Sequence, residues 1–262
     1  MTRRFASVVL LSVLASAAGA QRNDFHWEKA LPAGNQVSIN NINGDITVLP
    51  SSNGRVEVVG IKRGTGNFER IKADVQQSSR GIVICVLPNE DSYCDDRGMH
   101  SESRNRRGDN DWNDVRMDLE ISVPTNLTVS ANAVSGNISM TGATGDVRAN
   151  SVSGDVKLDR LRASSVYANS VSGDVEVSIQ ELTGRGDLTF HTVSGDITLD
   201  LPRQFDADLS MSTVSGGLNS DYAMTVGNGR MDRRSMQATI GRGGRRLDFS
   251  TVSGDVKLRA AR

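Results

Sequence analysis

The tripeptide Val-Ser-Gly occurs six times in 262 residues, beginning at Val134, Val152, Val171, Val193, Val214 and Val252. The intervals are 18, 19, 22, 21 and 38 residues, and the last reads as two units with one degenerate copy. Recurrence at a near-constant period marks a unit that cannot bury its apolar face alone and must stack on its neighbours. The residue after each glycine is Asn137, Asp155, Asp174, Asp196, Gly217 or Asp255.

The flanks repeat as well. Five residues before each valine stands Val129, Val147, Val166, Leu188, Leu209 or Leu247. Three before it stands Ala131, Ala149, Ala168, Phe190, Met211 or Phe249, and one before it a small residue such as Ala133, Ser151 or Thr192. These positions share one parity, so they line one face of a strand. Beyond the corner, Ile138, Val156, Val175, Ile197, Leu218 and Val256 open a second strand. Each unit is therefore a strand, a Ser-Gly-Asp corner, a second strand and a looser polar connection. Gly136, Gly154, Gly173, Gly195, Gly216 and Gly254 are the expected structural turn residues, because glycine tolerates backbone angles that strain other residues. The neighbouring Ser and Asp can bond to nearby amides. An antiparallel meander and a parallel β-solenoid both satisfy this pattern. A period near 20 with the corner at a fixed offset favours the all-β solenoid, with one unit per coil.

The rest of the chain is organised around these repeats. Residues 1–20 read as a signal peptide: Arg3 and Arg4, an apolar run from Phe5 to Ala17, then Ala18-Gly19-Ala20 as a cleavage site. The apolar run is short for a membrane span, and no later stretch is apolar enough to be one. Export to the periplasm, the cell surface or the medium is the expectation. Residues 21–124 form a less regular N-terminal β region that is continuous with the repeats of 125–262. In it, Asn43-Gly44-Asp45-Ile46 looks like a diverged corner. Arg70 to Gln77 and Gly81 to Leu87 read as two longer strands. Residues 89–114 are a polar insertion without periodicity. An exported chain meets an oxidising compartment, so Cys85 and Cys94 are expected to form a disulfide.

At this point the residues resemble a known family. Phe25-His26-Trp27, Asn41-Ile42-Asn43-Gly44-Asp45-Ile46, Ser122-Val123-Pro124 and Ile240-Gly241-Arg242-Gly243-Gly244 carry the likeness, together with Ser250-Thr251-Val252-Ser253-Gly254-Asp255. The family is a bacterial group of exported β-strand-repeat proteins, classed as candidate adhesins and otherwise a domain of unknown function. The resemblance implies a β-helix-like fold and a role at the cell envelope or surface. It supplies no catalytic or binding residues.

Candidate chemistry is sparse. If the coils stack, Asp155, Asp174 and Asp196 form a column about 4.8 Å apart. Such a column needs either backbone donors or a cation between its members, which makes these three weak calcium candidates. Asp109 to Asp114 alternates oxygen ligands but lacks a full calcium loop, and Trp112 is an aromatic candidate for contact. Arg230, Arg233, Arg234, Arg242, Arg245 and Arg246 form a basic stretch that reads as a solvated face or a site for phosphate, lipopolysaccharide or acidic glycans. Formal net charge is −1, which gives no global field for nucleic acid. His26, His100 and His191 lack metal-ligand spacing, and no nucleophile elbow or cofactor motif is present. The expectation is a non-enzymatic adhesin or envelope scaffold whose partners are envelope or surface glycans or proteins. The alternative is a β-helix protein that binds or cleaves an envelope polysaccharide.

Overall fold

A computed structural model describes residues 24–101, 114–226 and 235–261. The signal segment 1–20, residues 102–113 with Trp112, and Arg230, Arg233 and Arg234 lie outside the described residues. The N-terminal region forms β1 (Phe25–Lys29), β2 (Gln36–Asn43), β3 (Ile46–Pro50), β4 (Val56–Arg63), β5 (Lys72–Ser78), β6 (Gly81–Leu87), β7 (Ser92–Asp95), β8 (Gly98–Ser101) and β9 (Arg116–Val123). The first repeats form β10 (Thr128–Ser135), β11 (Ile138–Thr141), β12 (Thr144–Ser153), β13 (Val156–Ser172), β14 (Val175–Leu182), β15 (Leu188–Ser194) and β16 (Ile197–Leu201). The C-terminal part forms β17 (Ala207–Ser215), β18 (Leu218–Ser220), β19 (Met224–Val226), β20 (Ser235–Ile240), β21 (Arg246–Ser253) and β22 (Val256–Ala260). The helical content among the described residues is a 3-10 turn at Phe68–Arg70, and no helix is long and apolar enough to cross a membrane.

The repeats stack as a parallel solenoid. Strands before the corner form one ladder, in the order β5-β6-β2-β10-β12-β13-β15-β21-β17-β20-β19. Strands after the corner form the other, in the order β1-β4-β9-β3-β11-β13-β14-β16-β22-β18. The long strand β13 runs through both. Register is in phase from coil to coil: Val129 faces Val147, Val147 faces Val166, and Val166 faces Leu188. The inward positions read from the sequence are buried, from Val37 through Phe190 to Leu258, and form one hydrophobic cluster, with Leu218 only partly buried against it. Parallel pairing brings like positions together, so a repeated sequence yields continuous inward columns.

The order of coils departs from the order of the chain. The 38-residue interval contains no degenerate coil. The last coil, β21 with β22, inserts between the coil of β15 and β16 and the coil of β17 and β18. The residues that leave the repeat instead supply β19 and β20, an antiparallel pair laid on β17. This order brings Phe190 and Phe249 into adjacent coils, their rings stacked with centroids 5.6 Å apart. The N-terminal end is also permuted, because β6 and β9 lie outside β2 and β3. Antiparallel strands finish the stack at three of its four ladder ends: β5, β1 and β19. Such caps interrupt the run of parallel edges that a bare solenoid would offer for further pairing.

The polar insertion also differs from its reading. Its first part is an antiparallel hairpin of β7 and β8, which packs on the outer side of β6. Residues Val83 and Cys85 on that outer side are buried together with Cys94 of the hairpin. Strand β6 is therefore covered on both faces, and its continuous apolar run Ile82 to Leu87 reflects that double burial.

Candidate functional site

The most repeated feature of the surface is the Gly-Asp corner. Each corner glycine meets the corner beneath it. A Cβ on Gly136, Gly154, Gly173, Gly195, Gly254 or Gly216 would lie far inside van der Waals distance of the carbonyl oxygen of the adjacent corner glycine. The amides close the same contact: Gly154 N donates to Ser172 O at 3.0 Å, and Gly173 N to Ser194 O at 3.1 Å.

The residue after the glycine locks the coils laterally. Asp45 Oδ1 accepts from Asn137 N, Asn137 Oδ1 from Asp155 N, Asp155 Oδ1 from Asp174 N, and Asp174 Oδ1 from Asp196 N, all at 2.8–2.9 Å. Asp196 Oδ1 accepts from Asp255 N and Asp255 Oδ1 from Gly217 N, each at 2.9 Å. Asp118, which the sequence reading missed, begins the series by accepting from Asp45 N at 3.1 Å. Lys257 Nζ also donates to Asp196 at 2.8 Å. That bond, with the Asp255 amide, holds the Asp196 carboxyl below its ordinary range. Like charges one strand apart are thus each supplied with a donor from the next coil. Among the described residues no group of three or more His, Cys, Asp or Glu is arranged to hold a metal ion. Because these carboxylates already accept from backbone amides, a thermal melt is expected to be the same with and without chelator. Asp174→Ala should cost about 1 kcal/mol, read from the denaturation midpoint.

A second set of latches lies on the inward side. Ser151 Oγ donates to Gly136 O at 3.0 Å, Ser170 Oγ to Gly154 O at 2.9 Å, and Thr192 Oγ1 to Gly173 O at 3.2 Å. The sequence reading saw only small residues here. Their signal was a hydroxyl recurring at a core parity, because a buried hydroxyl needs a partner. In the last two coils Thr251 and Thr213 keep the hydroxyl, but it makes no hydrogen bond to the described residues.

Facing outward beside the corner, the repeated valines form an exposed stripe. Val134, Val152, Val171, Val193, Val252 and Val214 follow one another in stacking order with 38% to 62% of their surface exposed. The next outward column begins as an asparagine ladder, Asn132 donating to Asn40 at 3.1 Å and Asn150 to Asn132 at 3.0 Å, and passes through Asn169 to His191, Ser250 and Ser212. His191 is half-buried, with its ring edge-on to Tyr167. Burial pushes its imidazole below the ordinary 6.5, against the opposing pull of Asp248. The fold therefore favours neutral His191. This contribution is complete above pH 6.5 and is lost as pH falls through the lowered folded-state value. Urea midpoints should decline over that range, and His191→Asn should flatten the decline.

Cys85 on β6 and Cys94 on β7 stand with their sulfurs at bonding distance and Cα atoms 6.0 Å apart. The bond ties the β7–β8 hairpin to the solenoid. Reduction is expected to cost about 2–3 kcal/mol in the chain-entropy account. It should also speed amide exchange in residues 92–101 before the repeats respond.

The described part of the basic stretch, Arg242, Arg245 and Arg246, is not one surface. Arg242 donates to Asp206 and Arg246 pairs with Asp248. Arg245 is 7% exposed, and its guanidinium donates to the carbonyls of Ser164, Gly184 and Gly186. It is a buried clasp between the last coil and the loops of earlier coils. Its sequence neighbours gave no sign of this, since the acceptors lie 59 to 81 residues away.

The family profile of Toastrack DUF4097 matches residues 35–259, which takes in every coil of the stack. The chain belongs to the Toastrack DUF4097 family. The Toastrack match covers the N-terminal coil and the capping strands β5 and β19 as well as the clear repeats, and begins after β1. Among solved structures, a candidate cell adhesion protein from Clostridium sporogenes is similar with 10% identity, a TM-score of 0.48, and coverage of 90% of this chain and 99% of that one. A candidate adhesin from Bacteroides fragilis is similar with 15% identity, a TM-score of 0.43, and coverage of 89% and 96%. A candidate adhesin from Parabacteroides distasonis follows with 9% identity, a TM-score of 0.33, and coverage of 89% and 96%. No curated protein matches the chain.

Proposed function

We propose that this Toastrack protein is an exported, non-enzymatic solenoid that serves as an adhesive or scaffold module of the cell envelope. The stripe of exposed valines carries the reading. A surface position held by valine in every Val-Ser-Gly coil and by Ile42 in the N-terminal coil, where a polar residue would serve solubility better, is spent on something else. Contiguous apolar surface of this kind suits contact with a partner. The corner glycines and aspartates serve the stack itself, and the disulfide pins the insertion. The signal segment supports export and an oxidising location for that disulfide.

The test is Val152→Thr with Val171→Thr and Val193→Thr, an exchange that keeps branching at Cβ. The triple variant should melt close to wild type and lose retention on isolated envelope fragments. Incubation with a panel of polysaccharides should yield no new reducing or unsaturated ends. Turnover that disappears on changing one carboxylate would overturn the scaffold reading in favour of the polysaccharide-cleaving one.

A further inference from the structure

The corner opposite the glycines holds a groove of about 750 Å³. It crosses four coils, from Pro50 and Thr128 through Gly142 to Arg160, Arg162 and Gln180. Here the regular stacking breaks, with register shifts on β12 at Gly145 and on β13 around Leu161. Side chains from four coils line it.

Arg160 is the notable residue. Its φ of 53° is the one positive value at a non-glycine among the described residues. The equivalent position of the preceding coil, four residues after the first inward residue of the second strand, is Gly142, with φ 66°. The turn thus calls for a left-handed residue, and glycine fills it without strain in one coil. The next coil places a long cationic side chain there against the backbone preference. Strain retained at a groove is a pointer to function, because a strain-free residue would serve the fold.

The guanidinium is available. The Arg160 side chain is 60% exposed, and its Nε is 3.0 Å from Oδ2 of the adjoining Asp159. The Arg162 side chain is 63% exposed, with Nε 3.8 Å from Glu181 Oε2. Exposed pairs of this kind are weak, so an incoming anion can displace either partner. Around the two arginines the lining is rich in threonine, with Asn126 and Gln180 adding amides. Among the described residues no aromatic ring lines the groove, so they offer no stacking platform of the kind that single-stranded nucleic acid uses.

We propose that the groove binds a short acidic oligosaccharide. Arg160 and Arg162 meet its carboxylate or sulfate groups, and the threonine hydroxyls and side-chain amides meet its hydroxyls. Guanidinium forks suit both anions. Four coils at one strand spacing give a run of about 14 Å, long enough for a short oligosaccharide. The proposal rests on the reading of the protein as an exported interaction module and adds a ligand class to it.

Calorimetric titration of the intact protein with oligogalacturonate, a sulfated heparin tetrasaccharide and neutral maltotriose tests it. At least one acidic oligosaccharide should bind, weakening as salt rises, and maltotriose should not. Arg160→Gly and Arg162→Gln should each weaken binding about tenfold or more, while Arg242→Ala leaves it unchanged. Arg160→Gly should also melt at or above the wild-type temperature, because it removes the backbone strain. Four results would each overturn the proposal: no binding of either acidic oligosaccharide, equal binding of maltotriose, unchanged binding by Arg160→Gly, or a large fall in its melting temperature. The valine variants address the module reading separately. A wild-type protein that is retained on envelope fragments but binds no acidic oligosaccharide would sink the groove alone, and a wild-type protein that is not retained would sink the module reading.

Discussion

Gly173→Val is expected to melt about 8–16 °C below wild type, the equivalent of about 4 kcal/mol in a domain of this size. Two penalties act together. The backbone at Gly173 has φ 154°, and a Cβ there would run into Gly154 O and come within 3.0 Å of Asp155 Oδ1. Relief requires the coils to part. That movement breaks the bond from Gly154 N to Ser172 O and the bond from Asp174 N to Asp155 Oδ1. Overpacking and backbone strain each cost about 1–3 kcal/mol. Val171→Thr, two residues away and facing solvent, should stay within about 0.5 kcal/mol. Thermal melts followed by circular dichroism make the comparison, and a wild-type melt for Gly173→Val would show that the corner is not closed as described.

The second large effect is expected from removing residues 246–262. In a solenoid stacked in chain order, that deletion would fray only the last coil. Here β21 and β22 stand between β15 and β17 and between β16 and β18. Their loss should strand β17, β18 and the β19–β20 cap without a parallel neighbour, and uncover Phe190 where Phe249 had stacked. Hydrogen exchange should then find residues 207–226 and 235–240 unprotected while β10 to β14 remain protected. Protection retained over 207–220 in the truncated chain would contradict the inserted order. Repeat arrays tolerate such local loss because stability is summed over nearest-neighbour interfaces.

Much of the repeat was legible because each of its constraints is local. Alternation named Val147, Ala149, Val156 and Leu158 as inward, and all are buried. Glycine and aspartate at a fixed offset named the corner. Two misses have a common cause. The buried hydroxyl latches of Ser151, Ser170 and Thr192 were read only as small residues, because their acceptor sits in the preceding coil. Arg245 was read as part of a basic face because its three carbonyl acceptors lie far away in sequence. The groove was likewise invisible: Gly142 and Arg160 become equivalent only when the second strands are aligned, and strain at Arg160 is a backbone fact.

The order of the coils shows where local information ends. Thr-Val-Ser-Gly stands at residues 192–195, 213–216 and 251–254, so each of these three strands presents the same corner to its neighbour. Backbone hydrogen bonds do not distinguish them. What distinguishes them is the interior, where Phe190 and Phe249 fit as adjacent stacked rings, and the return path through β20, which covers β17. The repeating unit, its inward face and its corner chemistry were determined by the sequence alone, since they follow from strand parity and from the geometry open to glycine. Which coil lies beside which, where the stack is capped and where a groove opens were decided only in three dimensions, because interchangeable units are sorted by side-chain volume and chain return, not by their motif.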